Sequence, residues 1–168
     1  MKSKTIWREN EAVDLKNEIG HNDIIMVSGF FDPLHGGHID NILDATGWAS
    51  DYSRVVVVVN GDNAARRKKG YVLLPIEHRL KVIAAIRGVD YVIDFDTDNM
   101  VEAIRTLRPA WFFKGGDRQL NNLNPEEVAI AREFNCHITV GKRSSSKIGS
   151  SSAFFHQACV DYTCRCST

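Results

Sequence analysis

His35 and His38 lie three residues apart, with Gly36 and Gly37 between them, in the stretch Ser28-Gly29-Phe30-Phe31-Asp32-Pro33-Leu34-His35-Gly36-Gly37-His38. Two imidazoles at that spacing can face one bound anion and donate to its oxygens. Their ordinary pKa of ~6.5 leaves both protonation states open near neutrality. The glycines let the backbone approach a ligand that a Cβ would hold off. The plainer alternative is a helix-capping turn that carries two surface histidines.

Other residues of chemical interest recur at intervals. Arg66-Arg67-Lys68-Lys69 ends at Gly70. Such a run is either a solvated or weakly nucleic-acid-binding loop or, at the carboxyl end of a strand, a set of cations facing the histidine pocket. Four charges without interleaved aromatics give little support to an RNA or DNA surface. Arg79 falls in the first turn of a helix, where a cation opposes the dipole, so it needs an anionic partner. Lys114-Gly115-Gly116-Asp117-Arg118 is a second charged glycine turn. The segment from Ser144 to Ser152 reads either as a linker or as phosphate-binding hydroxyl and N–H groups ahead of an apolar helix from about Ala153.

The elements that must position these groups alternate. Ile24-Ile25-Met26-Val27 has the branching of a buried strand, and Gly29 and Pro33 then bend the chain. Ile39, Ile42 and Leu43 begin a helix to about Gly47, with His38 at its first turn. Strand, glycine turn and helix N-terminus together form a common anion pocket, since unpaired N–H groups and the positive dipole end point outward. Val55-Val56-Val57-Val58-Val59 reads as a strand buried on both faces, followed by a turn at Asn60-Gly61-Asp62-Asn63. A helix from Pro75, a strand over Tyr91-Val92-Ile93-Asp94-Phe95 and a helix capped by Asp98 or Asn99 follow. Trp111-Phe112-Phe113, a helix with Asn124 as cap and Pro125 behind it, and a strand from Cys136 to Val140 complete the series. Residues 5–19 suggest a short N-terminal helix. The fold expected is α/β: a Rossmann-like doubly wound sheet of about five parallel strands with helices on both faces. Residues 1–22 form a helical extension, 23–160 the main domain and 161–168 a tail.

The 168 residues fit one domain, and 21 basic residues balance 21 acidic ones, so net charge favours no partner. No apolar run approaches the ~20 residues of a membrane span, and the N-terminus lacks a signal peptide's apolar core. Cys136 and Cys159 read as core residues, and Cys164 and Cys166 as exposed thiols rather than a zinc site. A reduced, cytoplasmic setting fits, without membrane or nucleic-acid partners and without a protein metal centre.

The spacing G-x-F-D-x-x-H-x-G-H, filled by Gly29, Phe31, Asp32, His35, Gly37 and His38, resembles the signature of the cytidylyltransferase-like nucleotidyltransferases. The similarity runs over residues 20–156. The Lys-Gly-Gly-Asp turn is most similar to the adenylyltransferase domain that makes ADP-heptose from heptose 1-phosphate. Cytidylyltransferases for glycerol 3-phosphate or phosphoethanolamine share the signature and usually differ at that turn. The resemblance implies transfer of a nucleoside monophosphate from an NTP, with ATP favoured over CTP, to a phosphorylated sugar or polyol, releasing pyrophosphate. It assigns His35 and His38 to the α- and β-phosphate oxygens and Lys69, with Lys68 as rival, to phosphate charge. Gly29, Phe30, Phe31, Asp32, Gly37, Lys114, Gly115 and Asp117 would border the nucleotide, and Ser150, Ser151 and Ser152 its outer phosphates. Ser144, Ser145 and Ser146 are the alternative triplet. Asp62, Arg79 and Arg118 would take the acceptor. Mg2+ would be held mainly through the NTP phosphates, and the family implies a homodimer. Two alternatives remain: a cytidylyltransferase for a polyol or amino-alcohol phosphate, and a nucleotide-binding regulator without catalysis.

Overall fold

The structure is a computed structural model that describes residues 5–21, 23–115 and 122–141. Its centre is a six-stranded sheet in which every pairing is parallel. The strands are β1 (Ile6–Trp7), β2 (Asp23–Gly29), β3 (Ser53–Asn60), β4 (Tyr91–Phe95), β5 (Trp111–Lys114) and β6 (His137–Val140). The helices are α1 (Ala12–Ile19), α2 (Gly36–Trp48), α3 (Asp62–Lys69), α4 (Ile76–Ala84), α5 (Val101–Leu107) and α6 (Pro125–Glu133).

Alternation along the central strands builds two cores. Ile24 and Met26 of β2, with Val56 and Val58 of β3, meet α1, α5 and α6 on one face. Ile25 and Val27, with Val55, Val57 and Val59, meet α2 and α4 on the other. The valine run is fully buried, as expected of a central strand covered on both faces.

Two expectations change. The N-terminal segment does not begin as a helix: Ile6–Trp7 adds a sixth strand beside β4, Glu9–Glu11 makes a short 3-10 turn, and only Ala12–Ile19 is α-helical. Ile6 packs against one core and Trp7 against the other, so adjacent apolar residues serve opposite faces as in a strand. The second change lies after β3. Asn60 ends the strand, Gly61 is the N-cap and Asp62 already starts α3, so Arg66, Arg67, Lys68 and Lys69 are the last turn of a helix rather than a loop. Cations there complement the negative dipole end, and Gly70, at φ 83°, closes the helix in a left-handed conformation.

The strand order β1-β4-β3-β2-β5-β6 positions the site. From β2 the chain steps outward to β3 and β4, then returns to the other side of β2 for β5 and β6. The order therefore reverses between β2 and β5, and ligands of open α/β sheets bind outside the carboxyl ends at such a point. The histidine signature leaves β2 there, and β5 ends there at Lys114 with Gly115 behind it.

Candidate active site

His35 is the N-cap of α2 and His38 its third residue, so both stand at the helix's positive end. Their rings stack with centroids 3.7 Å apart and planes 23° from parallel. The His35 backbone N–H donates to His38 Nδ1 at 3.3 Å, which leaves the proton of a neutral His38 on Nε2. Burial, reinforced by His35 and Lys69, pushes the His38 imidazole down to about 3. His38 is therefore a neutral Nε2–H donor at neutral pH. Phe31 supports it edge-on at 5.0 Å. Phe31 is itself buried at φ 51°, with its ring under Gly29, where a Cβ would lie 3.1 Å away. Gly37 makes room for the His35 imidazole, since a Cβ there would come within 3.3 Å of the ring.

The lysines reach the same place. Lys68 and Lys69 lie 5.3 and 4.9 Å from the centroid of the Phe30 ring, and Lys69 Nζ donates to the Asp32 carbonyl at 3.1 Å. Burial lowers the Lys69 pKa, and the Asp32 carboxylate opposes that shift. Imidazoles and ammonium groups thus converge at the carboxyl end of β2.

Four charged residues expected to touch substrate, Asp32, Arg79, Asp62 and Lys114, are engaged by partners within the protein. Asp32 is fully buried, and its two carboxylate oxygens accept from the N–H groups of Leu73 and Leu74 at 2.9 and 2.7 Å. Arg79 is 1% exposed and donates to the carbonyls of Leu74, Phe30 and Asn60 and to Asp62 Oδ1. Asp62 supplies the anion that the position of Arg79 demanded, at 2.6 Å. The carbonyl of Phe30 is likewise spent on Arg79, at 2.7 Å. Lys114 pairs with the buried Glu127 at 2.6 Å and covers the Phe112 ring, so its ammonium turns toward α6. A charged residue in a turn and a buried one tied to the backbone look alike in sequence. Gly115 follows β5 at the crevice, whereas Asp117, Arg118, both serine triplets and the tail cysteines lie outside the described residues.

Sequence reading missed Asp96 and Glu127. Asp96 accepts from Ala64 N–H at 2.7 Å and from Asn63 Nδ2 at 2.6 Å, so it caps α3 from outside the helix. The available signal was an aspartate directly behind a strand that ends beside Asn60. Among the described residues, no group of three His, Cys, Asp or Glu side chains could hold a metal ion, and no helix is long and apolar enough to cross a membrane.

A model of the cytidylyltransferase-like family matches residues 26–157. The chain belongs to that family, and with it to the nucleotidyltransferases. It is 39% identical over 102 residues to the bifunctional protein HldE of Blochmanniella floridana, covering 60% of this chain and 21% of that one. It is 35% identical over 112 residues to HldE of Citrobacter koseri, covering 66% and 22%. The chain thus spans about a fifth of the length of these relatives. Among solved structures, a lipopolysaccharide core biosynthesis protein from Thermoplasma volcanium GSS1 matches with a TM-score of 0.60 at 23% identity, over 73% of this chain and 98% of that one. A pantoate-beta-alanine ligase from Francisella tularensis, complexed with an ATP compound and beta-alanine, matches at 0.59 and 15%, over 92% and 73%. At those identities the two structures share the fold with this chain.

Proposed function

We infer that this protein transfers AMP from ATP to a sugar phosphate of the heptose 1-phosphate type, releasing pyrophosphate. The observation that carries the reading is the convergence of the stacked His35–His38 pair and Lys69 at the positive end of α2. The choice of adenylyl transfer and of a heptose phosphate rests on the HldE relatives and on the Lys-Gly-Gly-Asp turn.

An acceptor phosphate is already a nucleophile, so the protein needs no base to activate it. Its task is in-line positioning and stabilisation of the charge that grows on the α-phosphate and on the departing pyrophosphate. In this reading His38 donates from Nε2–H to a phosphate oxygen, His35 donates beside it, and Lys69 neutralises charge from the α3 side. Lys68 assists from the same helix turn. The convergent groups are imidazoles and ammoniums rather than a carboxylate cage. Mg2+ therefore belongs to this reading as an ion carried on the triphosphate oxygens and its own waters.

Pyrophosphate release from ATP and from CTP, each with heptose 1-phosphate, glycerol 3-phosphate and phosphoethanolamine, tests the reading. Turnover with ATP and the heptose phosphate is the expected result. Preference for CTP and a polyol phosphate would transfer the chain to the cytidylyltransferase reading, and nucleotide binding without turnover to the regulator. Size-exclusion chromatography with light scattering tests the homodimer that accompanies this reading.

A further inference from the structure

The strap from Gly70 to Pro75 joins the lysine-bearing end of α3 to α4, and its leucines point outward: Leu73 is 42% exposed and Leu74 36%. Burial of these two leucines therefore does not hold it. Two buried charges do. The Leu74 peptide is gripped at both ends, its N–H by Asp32 Oδ1 at 2.7 Å and its carbonyl by Arg79 Nε at 2.8 Å. Asp32 Oδ2 takes the Leu73 N–H, and the Asp32 carbonyl takes Lys69 Nζ. Arg79 then reaches across to the carbonyls of Phe30 and Asn60, both at 2.7 Å, and to the Asp62 carboxylate.

Every partner in this frame belongs to the histidine signature, to the segment that carries the lysines or to the strap between them. A buried charge is tolerated only when hydrogen bonds occupy it, and charge-assisted bonds to backbone atoms fix both partners in direction as well as distance. Loosening either charge lets α3 and the signature move relative to each other, and a misplacement of ~1 Å at a reacting centre costs on the order of 100-fold in rate.

We propose that Asp32 and Arg79 are positioning residues that set the distance between the Lys69 ammonium and the His35–His38 pair, without touching substrate themselves. The proposal rests on the nucleotidyl-transfer reading for its catalytic consequence, and on the frame alone for its structural one.

The test compares the 168-residue chain with Asp32→Asn, Asp62→Asn and Arg79→Ala, using the NTP and acceptor pair that wild type turns over fastest. Asp32→Asn keeps the shape but replaces one acceptor oxygen with a donor facing an N–H. It should lower kcat by about 30-fold or more while the nucleotide KM stays within about threefold, and it should speed amide exchange at Leu73 and Leu74 by about tenfold. Added guanidinium should restore kcat of Arg79→Ala by about tenfold. Asp62→Asn, which leaves the buried residues intact, should show the same kcat-dominated loss at smaller size and keeps the test open if the others fail to fold. The proposal is overturned if folded variants keep kcat within about twofold, or if KM rises while kcat holds, which would make these groups substrate ligands. A uniform loss without rescue, accompanied by a collapsed melting temperature, overturns it as well. If wild type turns over no pair, the transfer reading fails on its own, and unchanged exchange at Leu73 and Leu74 in Asp32→Asn would separately sink the frame.

Discussion

The imidazoles of His35 and His38 stack at 3.7 Å, with the His35 N–H bound to His38 Nδ1. Two imidazolium cations would repel at that distance, and Lys69 adds a third positive charge nearby. His38 is therefore a neutral donor before substrate arrives. The first negative charge to enter meets N–H groups, a helix dipole and an ammonium that are already aligned.

The depressed His38 value makes stability depend on pH. Its folded value of about 3 lies below the unfolded 6.5, so the native state binds fewer protons in that window. The full stability is present above pH 6.5 and is lost as pH falls towards 3. At pH 5 the loss amounts to ~2 kcal/mol from this group. Urea unfolding at pH 7 and pH 5 should show wild type losing about that much more than His38→Gln does. Equal losses would contradict a buried neutral His38.

His38→Ala should lower turnover about a hundredfold or more, because removing one transition-state donor costs ~2.7–4 kcal/mol. Near-normal pyrophosphate release in the folded variant would remove His38 from the chemistry.

The two lysines are separable. Lys69 is the more desolvated and bonds to the Asp32 carbonyl, whereas Lys68 shares only the Phe30 ring with it. Lys69→Met should lower kcat by about a hundredfold and Lys68→Met by about tenfold or less. Steady-state kinetics of the two variants decides, and the reverse order would make Lys68 the principal cation.

Much of this architecture was legible in the sequence. The Val55–Val59 run, the Asn124 cap with Pro125 behind it, and the strand-turn-helix around His35 each carry a local signal strong enough to fix their type; Asn124 Oδ1 accepts from Glu126 and Glu127 N–H as the pattern demands. The anion owed to Arg79 was legible as well, though its identity was not. What stayed hidden depends on distant partners. Ile6–Trp7 is a strand only because β4 lies alongside. Asn60-Gly61-Asp62 suits a turn or a helix start equally well, and Asp96, some thirty residues on, settles it as the latter. Asp32, Arg79 and Lys114 sit in motif positions that suggest ligand contact, but backbone partners hold the first two in the interior and the Glu127 carboxylate draws the third toward α6.

Lys114 gives a stability prediction in place of a binding one. Removing its ammonium leaves Glu127 buried, with the Met100 N–H still donating to it at 2.9 Å. Breaking a buried pair from one side costs ~3–5 kcal/mol. Lys114→Met should lose stability in that range by urea unfolding, while kcat of the folded fraction stays within about threefold of wild type. Full stability together with a raised nucleotide KM would return Lys114 to the binding site.

The last prediction concerns the joint between β3 and α3, which aims the lysines. A Cβ at Gly61 would lie 2.6 Å from Cβ and Cγ of Asp96, and that aspartate is held by Ala64 N–H and Asn63. Gly61 has an ordinary φ of −65°, so close approach rather than backbone freedom requires glycine there. Gly61→Ala should therefore cost ~1–3 kcal/mol through overpacking. Asp96→Gly alone should cost about 1 kcal/mol, through loss of the cap. Since the second change removes the atoms that the first collides with, the double variant should be more stable than the sum of the two by about 1 kcal/mol. A double-mutant cycle by urea unfolding measures that coupling. Strict additivity would mean that the Asp96 side chain is not what a Cβ at Gly61 meets, and that close approach to it is not the reason for glycine there.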